Sequence, residues 1–294
     1  MKLLITGGNG MLGRTLRNRW RDWRPVALGR ADCDITDLDT VRRVFGEIRP
    51  EVVVHAAAMT AVDACESNPE LAFKVNAAGS ANVATACREI GARLVAISTD
   101  YVFSGRSDRP WREDDPTAPE TVYGRSKLAG EQAIQEILPS RHLICRTAWL
   151  YGPGGPSFVA TMLKLTDGSR PELKVVDDQR GNPTSTFALA DILRELILRP
   201  DLQGIFHVSC QGECTWYEFA CEIFRRAGVA QRVVPCTSAE FPRPARRPAN
   251  SSLDKAALRA AGLRPMPEWQ DALAQFFEST STGELSTGVT QSDE

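Results

Sequence analysis

The stretch TGGNGMLG occupies residues 6–13, directly after a short apolar run that predicts a first β-strand. It places three glycines at equal spacing, Gly7, Gly10 and Gly13, before a helical pattern that begins near Met11. Such a turn allows a tight bend, close approach of a pyrophosphate to the backbone, and close packing of helix on strand. Free N–H groups and the positive end of the helix dipole then face the ligand. The turn therefore predicts a dinucleotide-binding fold.

Short apolar runs alternate with longer helical patterns along the first half of the chain. The runs that predict strands lie at residues 2–6, 25–28, 52–57, 93–98 and 142–147. Strand–helix alternation is typical of a parallel sheet that is covered by helices on both faces. We therefore expect an α/β fold, in which a Rossmann-type doubly wound parallel sheet is joined to a smaller mixed α/β substrate domain.

The alternation loosens after the Gly/Pro-rich stretch GPGGP, and this change suggests how the domains divide. We assign residues 1–150 to a dinucleotide-binding Rossmann domain, to which residues 178–209 return. Residues 151–177 and 210–278 form the predicted substrate-binding region. The segment 279–294 is rich in Ser, Thr and Gly and has almost no apolar residues, so we expect it to be disordered.

The composition excludes several classes of partner. The chain has 294 residues and a formal net charge of −2, whereas nucleic acids and anionic membrane surfaces normally select a basic excess. No apolar run approaches the roughly 18–20 residues that a membrane-spanning helix needs. The eight cysteines are scattered, with no Cys-x-x-Cys pair. We expect reduced thiols in a cytoplasmic protein, no metal site, and no nucleic-acid or membrane partner.

Candidate catalytic residues follow two of the predicted elements. The sequence YGRSK places Tyr123 and Lys127 four residues apart at the start of a helical pattern, so both side chains lie on one helix face. A free tyrosine has a pKa of about 10, and a nearby ammonium group lowers that value. Thr99 ends a buried strand, at the edge where open parallel sheets bind ligands. Its hydroxyl could hydrogen-bond a substrate carbonyl and the tyrosine oxygen.

Six ordered stretches extend over nearly the whole chain except the tail. They are HAAAMTAVD (55–63), STDYVF (98–103), VYGRSKLAGE (122–131), RTAWLY (146–151), DQRGNPT (178–184) and RPANSSL (247–253). Together with the glycine turn, they resemble the dTDP-4-dehydrorhamnose reductase family of the extended short-chain dehydrogenase/reductases. The resemblance implies a reductase that transfers hydride to the C4 ketone of dTDP-6-deoxy-L-lyxo-4-hexulose, which gives dTDP-L-rhamnose.

The resemblance also implies cofactor contacts. Related enzymes often bind the adenosine ribose with an acid after the second strand, but here that segment is ALGR, with no acid before Asp32. Arg30 could instead pair with a 2′-phosphate, which favours NADPH, although NADH stays open. Asp34 and Ile35 resemble the pair that contacts adenine. The other residues that the resemblance places at the cofactor are Gly7, Gly10, Met11, Leu12, Gly13, Ala58, Met59, Thr60, Tyr123 and Lys127.

The same resemblance assigns roles at the reacting sugar. Tyr123 would donate the proton, Lys127 would lower its pKa and hold the nicotinamide ribose, and Thr99 would orient the carbonyl. Asp100 would accept hydrogen bonds from sugar hydroxyls, and the Trp149 indole would pack on the ring.

A phosphate oxygen of the nucleotide also needs a partner. Arg247 would bind it, and Arg246 and Arg243 remain alternatives for this role. The stretch GGPSF at residues 154–158 departs from the family, because it lacks the asparagine that usually precedes the phenylalanine.

Alternatives to this function stay open. Sugar-nucleotide 4,6-dehydratases need a glutamate after the Thr-Asp pair, and Tyr101 stands there instead, so ketone reduction is favoured. The substrate could be another dTDP- or UDP-4-keto-deoxysugar. A different class, the non-catalytic regulatory subunit that resembles the β subunit of methionine adenosyltransferase, conflicts with the intact Thr, Tyr and Lys set. A homodimer stays open, but Thr15 offers no carboxylate for a metal link between first helices.

Overall fold

A computed structural model describes residues 1–166 and 170–281 of the chain. Its strands, in chain order, are β1 (Leu3–Thr6), β2 (Val26–Leu28), β3 (Val52–His55), β4 (Arg93–Thr99), β5 (His142–Thr147), β6 (Leu150–Tyr151), β7 (Leu173–Val176), β8 (Arg180–Gly181), β9 (Thr184–Ser185), β10 (Gly204–His207), β11 (Cys214–Thr215) and β12 (Val233–Cys236).

Helices connect these strands. They are α1 (Met11–Arg19), α2 (Leu38–Ile48), α3 (Val62–Ser67), α4 (Pro69–Phe73), α5 (Gly79–Ile90), α6 (Val122–Ile137), α7 (Phe158–Lys164), α8 (Thr186–Ile197), α9 (Trp216–Ala227), α10 (Ala256–Ala260) and α11 (Trp269–Ser281). A π-helical turn, Lys74–Ala78, joins α4 to α5. Short 3₁₀ turns cover Arg21–Trp23, Asp100–Val102 and Ser238–Glu240.

The central sheet has six strands in the order β10-β5-β4-β3-β1-β2, and each neighbouring pair is parallel. The chain runs from β1 outward to β2 and returns to β3 on the other side of β1. This reversal opens a crevice at the carboxyl ends of the strands, where open α/β sheets bind ligands. The predicted α/β fold with a parallel, Rossmann-type sheet is confirmed.

Helices cover both faces of the sheet. Because side chains alternate along each strand, neighbouring residues of one strand pack into different hydrophobic clusters. Leu3 and Ile5 pack with α1, α8 and α11 in one hydrophobic cluster. Leu4, which lies between them, packs with α2 and α5 in the other. All three side chains are almost fully buried, which explains why the first strand reads as a continuous apolar run.

The second half of the chain adds smaller sheets to this core. The strand β7 pairs with β12, β8 with β11, and β6 with β9. The strand β10 joins the central sheet beside β5, within the segment 178–209 that was predicted to return to the Rossmann domain. The division into a nucleotide and a substrate domain stays a prediction.

Two helix starts have a local cause. The helix α6 begins at Val122, because the Thr121 side chain caps it by accepting a hydrogen bond from Gly124 N at 3.0 Å. The helix α5 begins at Gly79, which follows the π turn without a break, and a Cβ there would lie 2.7 Å from Ile35 Cδ1.

The last helix, α11, reaches Ser281 and so enters the segment 279–294 that was predicted to be disordered. The prediction is wrong for residues 279–281, because a helix ends with its hydrogen-bond ladder and not where apolar residues stop. Residues 282–294 lie outside the described residues.

A buried ion pair joins α6 to β5. The side chains of Arg146 and Glu131 are 2% and 3% exposed, and Arg146 Nη2 lies 2.7 Å from Glu131 Oε2. Ser98 Oγ donates a hydrogen bond to Glu131 Oε1 at 2.5 Å. The guanidinium also lies 5.1 Å from the ring centroid of Phe103. Two charges taken out of water this completely depend on each other, so removal of one partner is costly.

We expect Arg146→Met to lower the free energy of unfolding by about 3–5 kcal/mol, because it leaves the Glu131 carboxylate buried without its cation. The control is Arg42→Met, which removes the partner of Glu89 at an exposed surface pair and should cost at most about 1 kcal/mol. Urea unfolding measures both. Equal losses in the two variants would show that burial does not govern the Arg146 pair.

Candidate active site

The turn between β1 and α1 lies directly against β3. Gly7 has a φ of +73°, and a Cβ there would lie 2.7 Å from Ala57 N. A Cβ on Gly13 would collide with the Gly7 carbonyl oxygen. Gly10 N donates to Gly7 O at 3.0 Å, and no side chain caps the N-terminus of α1. The first helical N–H groups therefore remain available to an anion at this turn.

A cleft of about 470 Å³ lies beside this turn, at the carboxyl ends of β1, β2 and β3. Of the residues predicted to bind the cofactor, it is lined by Gly7, Gly10, Arg30, Asp34, Ile35, Ala58 and Met59. The other lining residues were not among those predicted to contact the cofactor, and they are Asn9, Gly29, Cys33, Thr36, Ala56, Ala57, Leu71 and Val75. Met11, Leu12, Gly13 and Thr60 lie in or next to the same turns but do not line the cleft.

The far end of the cleft carries a cation and a carboxylate. The Arg30 side chain is 78% exposed, and its Nε lies 3.6 Å from Asp34 Oδ2. Asp34 Oδ1 accepts hydrogen bonds from the backbone N–H and the hydroxyl of Thr36, and these bonds lower the pKa of Asp34. Asp32 accepts from Gly29 N at 2.8 Å, so its carboxylate closes the turn after β2.

Tyr123 and Lys127 both lie buried on the first turns of α6. Lys127 Nζ donates to the Ile97 carbonyl of β4 at 2.8 Å, and burial lowers the pKa of Lys127 to about 8. Burial raises the pKa of Tyr123, while the neighbouring Thr99 hydroxyl acts to lower it. Of the three residues that were predicted to be catalytic, the structure thus places Thr99 beside the Tyr123 hydroxyl and Lys127 one turn further along the same helix.

Asp100 follows Thr99 at the end of β4 and is also buried. The Thr99 hydroxyl donates to Asp100 Oδ1 at 2.9 Å, whereas Oδ2 has no hydrogen-bond partner among the described residues. Burial raises the pKa of Asp100 to about 6. An unsatisfied buried carboxylate oxygen is costly unless a ligand supplies a donor. Next to Thr99 and Tyr123, that ligand would be the substrate.

Trp149 lies between β5 and β6 with a φ of +48°, which is unusual for a bulky residue. Its ring stacks on Trp216 with centroids 3.4 Å apart, and its Nε1 donates to Ser251 Oγ at 3.0 Å. A Cβ on Gly181 would collide with the indole. One face of the predicted sugar-packing residue is therefore covered by a second tryptophan, which sequence reasoning did not single out.

The three candidate phosphate-binding arginines have different partners. Arg247 Nη2 lies 2.9 Å from Asp63 Oδ2, and its side chain is 22% exposed. Arg246 pairs with Glu120 at 3.3 Å. Arg243 lies over the ring of Phe241, 4.8 Å from the centroid. Of these three, Arg247 is also in electrostatic contact with the half-buried Tyr101, whose ring lies 5.5 Å from that of Tyr123.

A buried polar network connects the cofactor cleft to α6. Asn76, in the π turn, accepts from Met59 N at 2.8 Å and donates to Met59 O and to Ser126 Oγ, both at 3.0 Å. His55 lies between Thr6 Oγ1 at 2.7 Å and Ser80 Oγ at 3.1 Å. Sequence reasoning missed Asn76, and its position on a π turn, a common feature of functional sites, is visible only in the structure.

Comparison with known proteins agrees with this geometry. A family model described as the RmlD substrate binding domain matches residues 1–282. The chain belongs to this family. The dTDP-4-dehydrorhamnose reductase of Streptomyces griseus is 49% identical over 281 residues, which cover 93% of this chain and 92% of that protein. The dTDP-4-keto-6-deoxy-D-glucose reductase of Streptomyces niveus is 43% identical, and the match covers 93% and 96% of the two chains.

A solved structure of the family shows the same fold. The dTDP-4-dehydrorhamnose reductase of Bacillus anthracis, in complex with NADP, has a TM-score of 0.92 and 41% sequence identity, with 95% of this chain and 100% of that chain covered. The expected family resemblance is confirmed. Among the described residues, no helix is both long and apolar enough to span a membrane.

We expect Gly7→Ala to lower the free energy of unfolding by about 1–3 kcal/mol or more. An L residue at this positive φ is strained, and its Cβ would meet the backbone of Ala56 and Ala57, which follow β3. The matched control is Gly46→Ala in α2, where a Cβ would meet open space. This substitution should leave the free energy of unfolding unchanged or raise it by up to about 1 kcal/mol. Urea unfolding compares the two. A Gly7→Ala protein as stable as the wild type would contradict the close approach.

Proposed function

We propose that the protein is an NADPH-dependent reductase of a dTDP-4-keto-6-deoxysugar, and specifically that it converts dTDP-6-deoxy-L-lyxo-4-hexulose to dTDP-L-rhamnose. The observation that carries the proposal is the grouping of Tyr123, Lys127 and Thr99 at the carboxyl edge of a parallel sheet, beside a glycine turn. The named activities of the relatives supply the substrate class.

The cleft fits the dinucleotide on structural grounds. A side chain at Gly7 or Gly13 would fill the space beside the backbone, and the uncapped start of α1 offers free N–H groups to the pyrophosphate. In this proposal Asp34 and Ile35 hold the adenine end, and Ala58 and Met59 border the ribose. When bound, NADPH supplies a hydride to the ketone carbon and leaves as NADP⁺.

The chain's own residues then handle the proton. Tyr123 donates its phenolic proton to the ketone oxygen, so that the carbonyl becomes a hydroxyl and the tyrosine is left as a phenolate. The Lys127 ammonium stabilises that phenolate, because an adjacent positive charge favours the ionised form. The Thr99 hydroxyl orients the carbonyl oxygen towards the phenol. A proton from solvent restores Tyr123 after the product leaves.

In this proposal, three other side chains hold the sugar nucleotide. The unpaired Asp100 Oδ2 accepts a hydrogen bond from a sugar hydroxyl, and the exposed part of Trp149 packs on the ring. Arg247 binds a phosphate oxygen of the nucleotide. At the position where a dehydratase needs a carboxylate, Tyr101 places a half-buried phenol ring 5.5 Å from the ring of Tyr123, so reduction without loss of water is favoured.

A second candidate is the reduction of a different 4-keto-deoxysugar. It is favoured by the relative from Streptomyces niveus, which bears the name of a dTDP-4-keto-6-deoxy-D-glucose reductase at similar identity. Both candidates use the same proton and hydride chemistry, so the configuration of the sugar product separates them.

The eight free cysteines support a cytoplasmic location in either case.

We expect the wild-type protein to oxidise NADPH when it is given dTDP-6-deoxy-L-lyxo-4-hexulose, with dTDP-L-rhamnose as the product identified by NMR. Tyr123→Phe should lower kcat by about 10²–10⁴-fold, because it removes the proton donor. The control is Tyr217→Phe on α9, which should leave kcat within about twofold. A wild-type protein inert towards every dTDP- and UDP-4-ketosugar would exclude the reductase.

We also expect Arg30→Ala to raise KM for NADPH by about 5- to 10-fold and to leave KM for NADH nearly unchanged, because the guanidinium pairs with the 2′-phosphate that only NADPH carries. The control is Arg43→Ala, which removes a different exposed arginine that lies on helix α2. Initial rates with each cofactor give the comparison. Equal changes for both cofactors would mean that Arg30 does not read the phosphate.

A further inference from the structure

Asp63 connects two parts of the site that lie far apart in sequence. It lies in the first turn of α3, a few residues after Ala58 and Met59, which line the cofactor cleft. Its Oδ1 accepts a hydrogen bond from Ala245 N at 3.1 Å, and its Oδ2 accepts one from Arg247 Nη2 at 2.9 Å. The partners are 182 and 184 residues away in the chain. One carboxylate therefore fixes the backbone and the side chain of the distant segment.

The charges around Asp63 favour this arrangement. Burial alone would raise its pKa, but the hydrogen bonds from Ala245 and Arg247 outweigh burial and lower the pKa of Asp63. The carboxylate is therefore ionised at neutral pH and opposes the Arg247 charge directly. The neighbouring Arg246 has its own carboxylate partner, Glu120, whereas Arg243 acts on Asp63 only through its charge, so Arg247 is the arginine of the segment that Asp63 binds by a hydrogen bond.

Arg247 retains hydrogen-bonding capacity while it is held. A guanidinium has five N–H donors in a rigid fork. One Nη2 hydrogen goes to Asp63, and one Nη1 hydrogen goes to the Ala245 carbonyl at 3.2 Å. The remaining donors make no hydrogen bond within residues 1–166 and 170–281. They can therefore reach an anion while Asp63 keeps the plane of the guanidinium fixed.

We propose that Asp63 is a positioning residue for the diphosphate of the nucleotide sugar. It holds the Arg247 guanidinium in the orientation that binds a phosphate oxygen, and it anchors this arginine to the helix that follows the cofactor loop. The inference rests on the proposed function, in which Arg247 contacts the phosphate. It adds that cofactor and nucleotide-sugar binding are coupled, because a cofactor that contacts Ala58 and Met59 touches the chain just before the helix that carries Asp63.

The test is the binding of dTDP, measured by isothermal titration calorimetry with and without saturating NADP⁺. We expect Asp63→Asn to weaken dTDP binding by about 10-fold, and Arg247→Ala to weaken it by at least as much. The double variant should be no weaker than Arg247→Ala alone, since Asp63 acts through that arginine. NADP⁺ should strengthen dTDP binding in the wild type, and less in Asp63→Asn.

The control variant is Glu120→Gln, which frees Arg246 and should leave the Kd of dTDP within about twofold. In turnover, Asp63→Asn should raise KM for the sugar nucleotide while kcat stays within about twofold, because Tyr123, Lys127 and Thr99 are untouched. A loss of folding would instead lower the midpoint of urea unfolding. Asp63→Glu, which keeps the charge, should recover part of the affinity for dTDP.

Three outcomes would overturn the inference while leaving the reductase intact. They are unchanged dTDP binding in Asp63→Asn, additive losses in the double variant, and equal effects of Glu120→Gln and Asp63→Asn. A wild-type protein that turns over the sugar nucleotide but shows no coupling to NADP⁺ would overturn the coupling. A wild-type protein that neither binds dTDP nor reduces any 4-ketosugar would reject the proposed function together with the inference.

Discussion

The turn between β1 and α1 passes so close to the end of β3 that no side chain fits between them. Gly7 meets the backbone of Ala56 and Ala57, and Gly13 meets the Gly7 carbonyl. This contact sets how deeply the first helix sits on the sheet. On the other side of β1, Gly8 N donates to Leu28 O at the end of β2 at 2.8 Å, so the turn contacts both walls of the cleft. The shape of the cofactor cleft therefore depends on the absence of a Cβ atom at Gly7 and at Gly13.

The proton-transfer part of the candidate site depends on buried charges. Within residues 1–166 and 170–281, buried Lys127 has the Ile97 carbonyl as its one hydrogen-bond partner, which leaves its positive charge available to a neighbouring phenolate. One turn further along α6, Glu131 is held by Arg146 and Ser98. In a medium of low dielectric constant, such groups interact more strongly than at the surface. The buried ion pair of Glu131 with Arg146 thus fastens the helix that carries Tyr123 to strand β5 of the sheet.

The sequence predicts best what is local. Apolar runs predicted the strands of the central sheet, and short motifs predicted that Thr99, Tyr123 and Lys127 would meet, because parallel strands end at one edge and i, i+4 residues share a helix face. Partners that the fold brings together from distant positions were not predictable. The covering of Trp149 by Trp216 is one example, and the hydrogen bonds of Asn76 to the cofactor loop are another. No pattern within a single element encodes either pairing.

This difference explains why the substrate side is harder to read than the cofactor side. The stretch RPANSSL contributes few groups that face a ligand, yet it fastens several elements at once. Asn250 donates to the carbonyls of Ser107 and Arg109, and Leu253 N donates to Asn182 Oδ1. Ser251 accepts from Trp149 Nε1. The stretch therefore ties these elements together beside the predicted sugar-binding side chains, and Arg247 at its start keeps donors that make no hydrogen bond within residues 1–166 and 170–281.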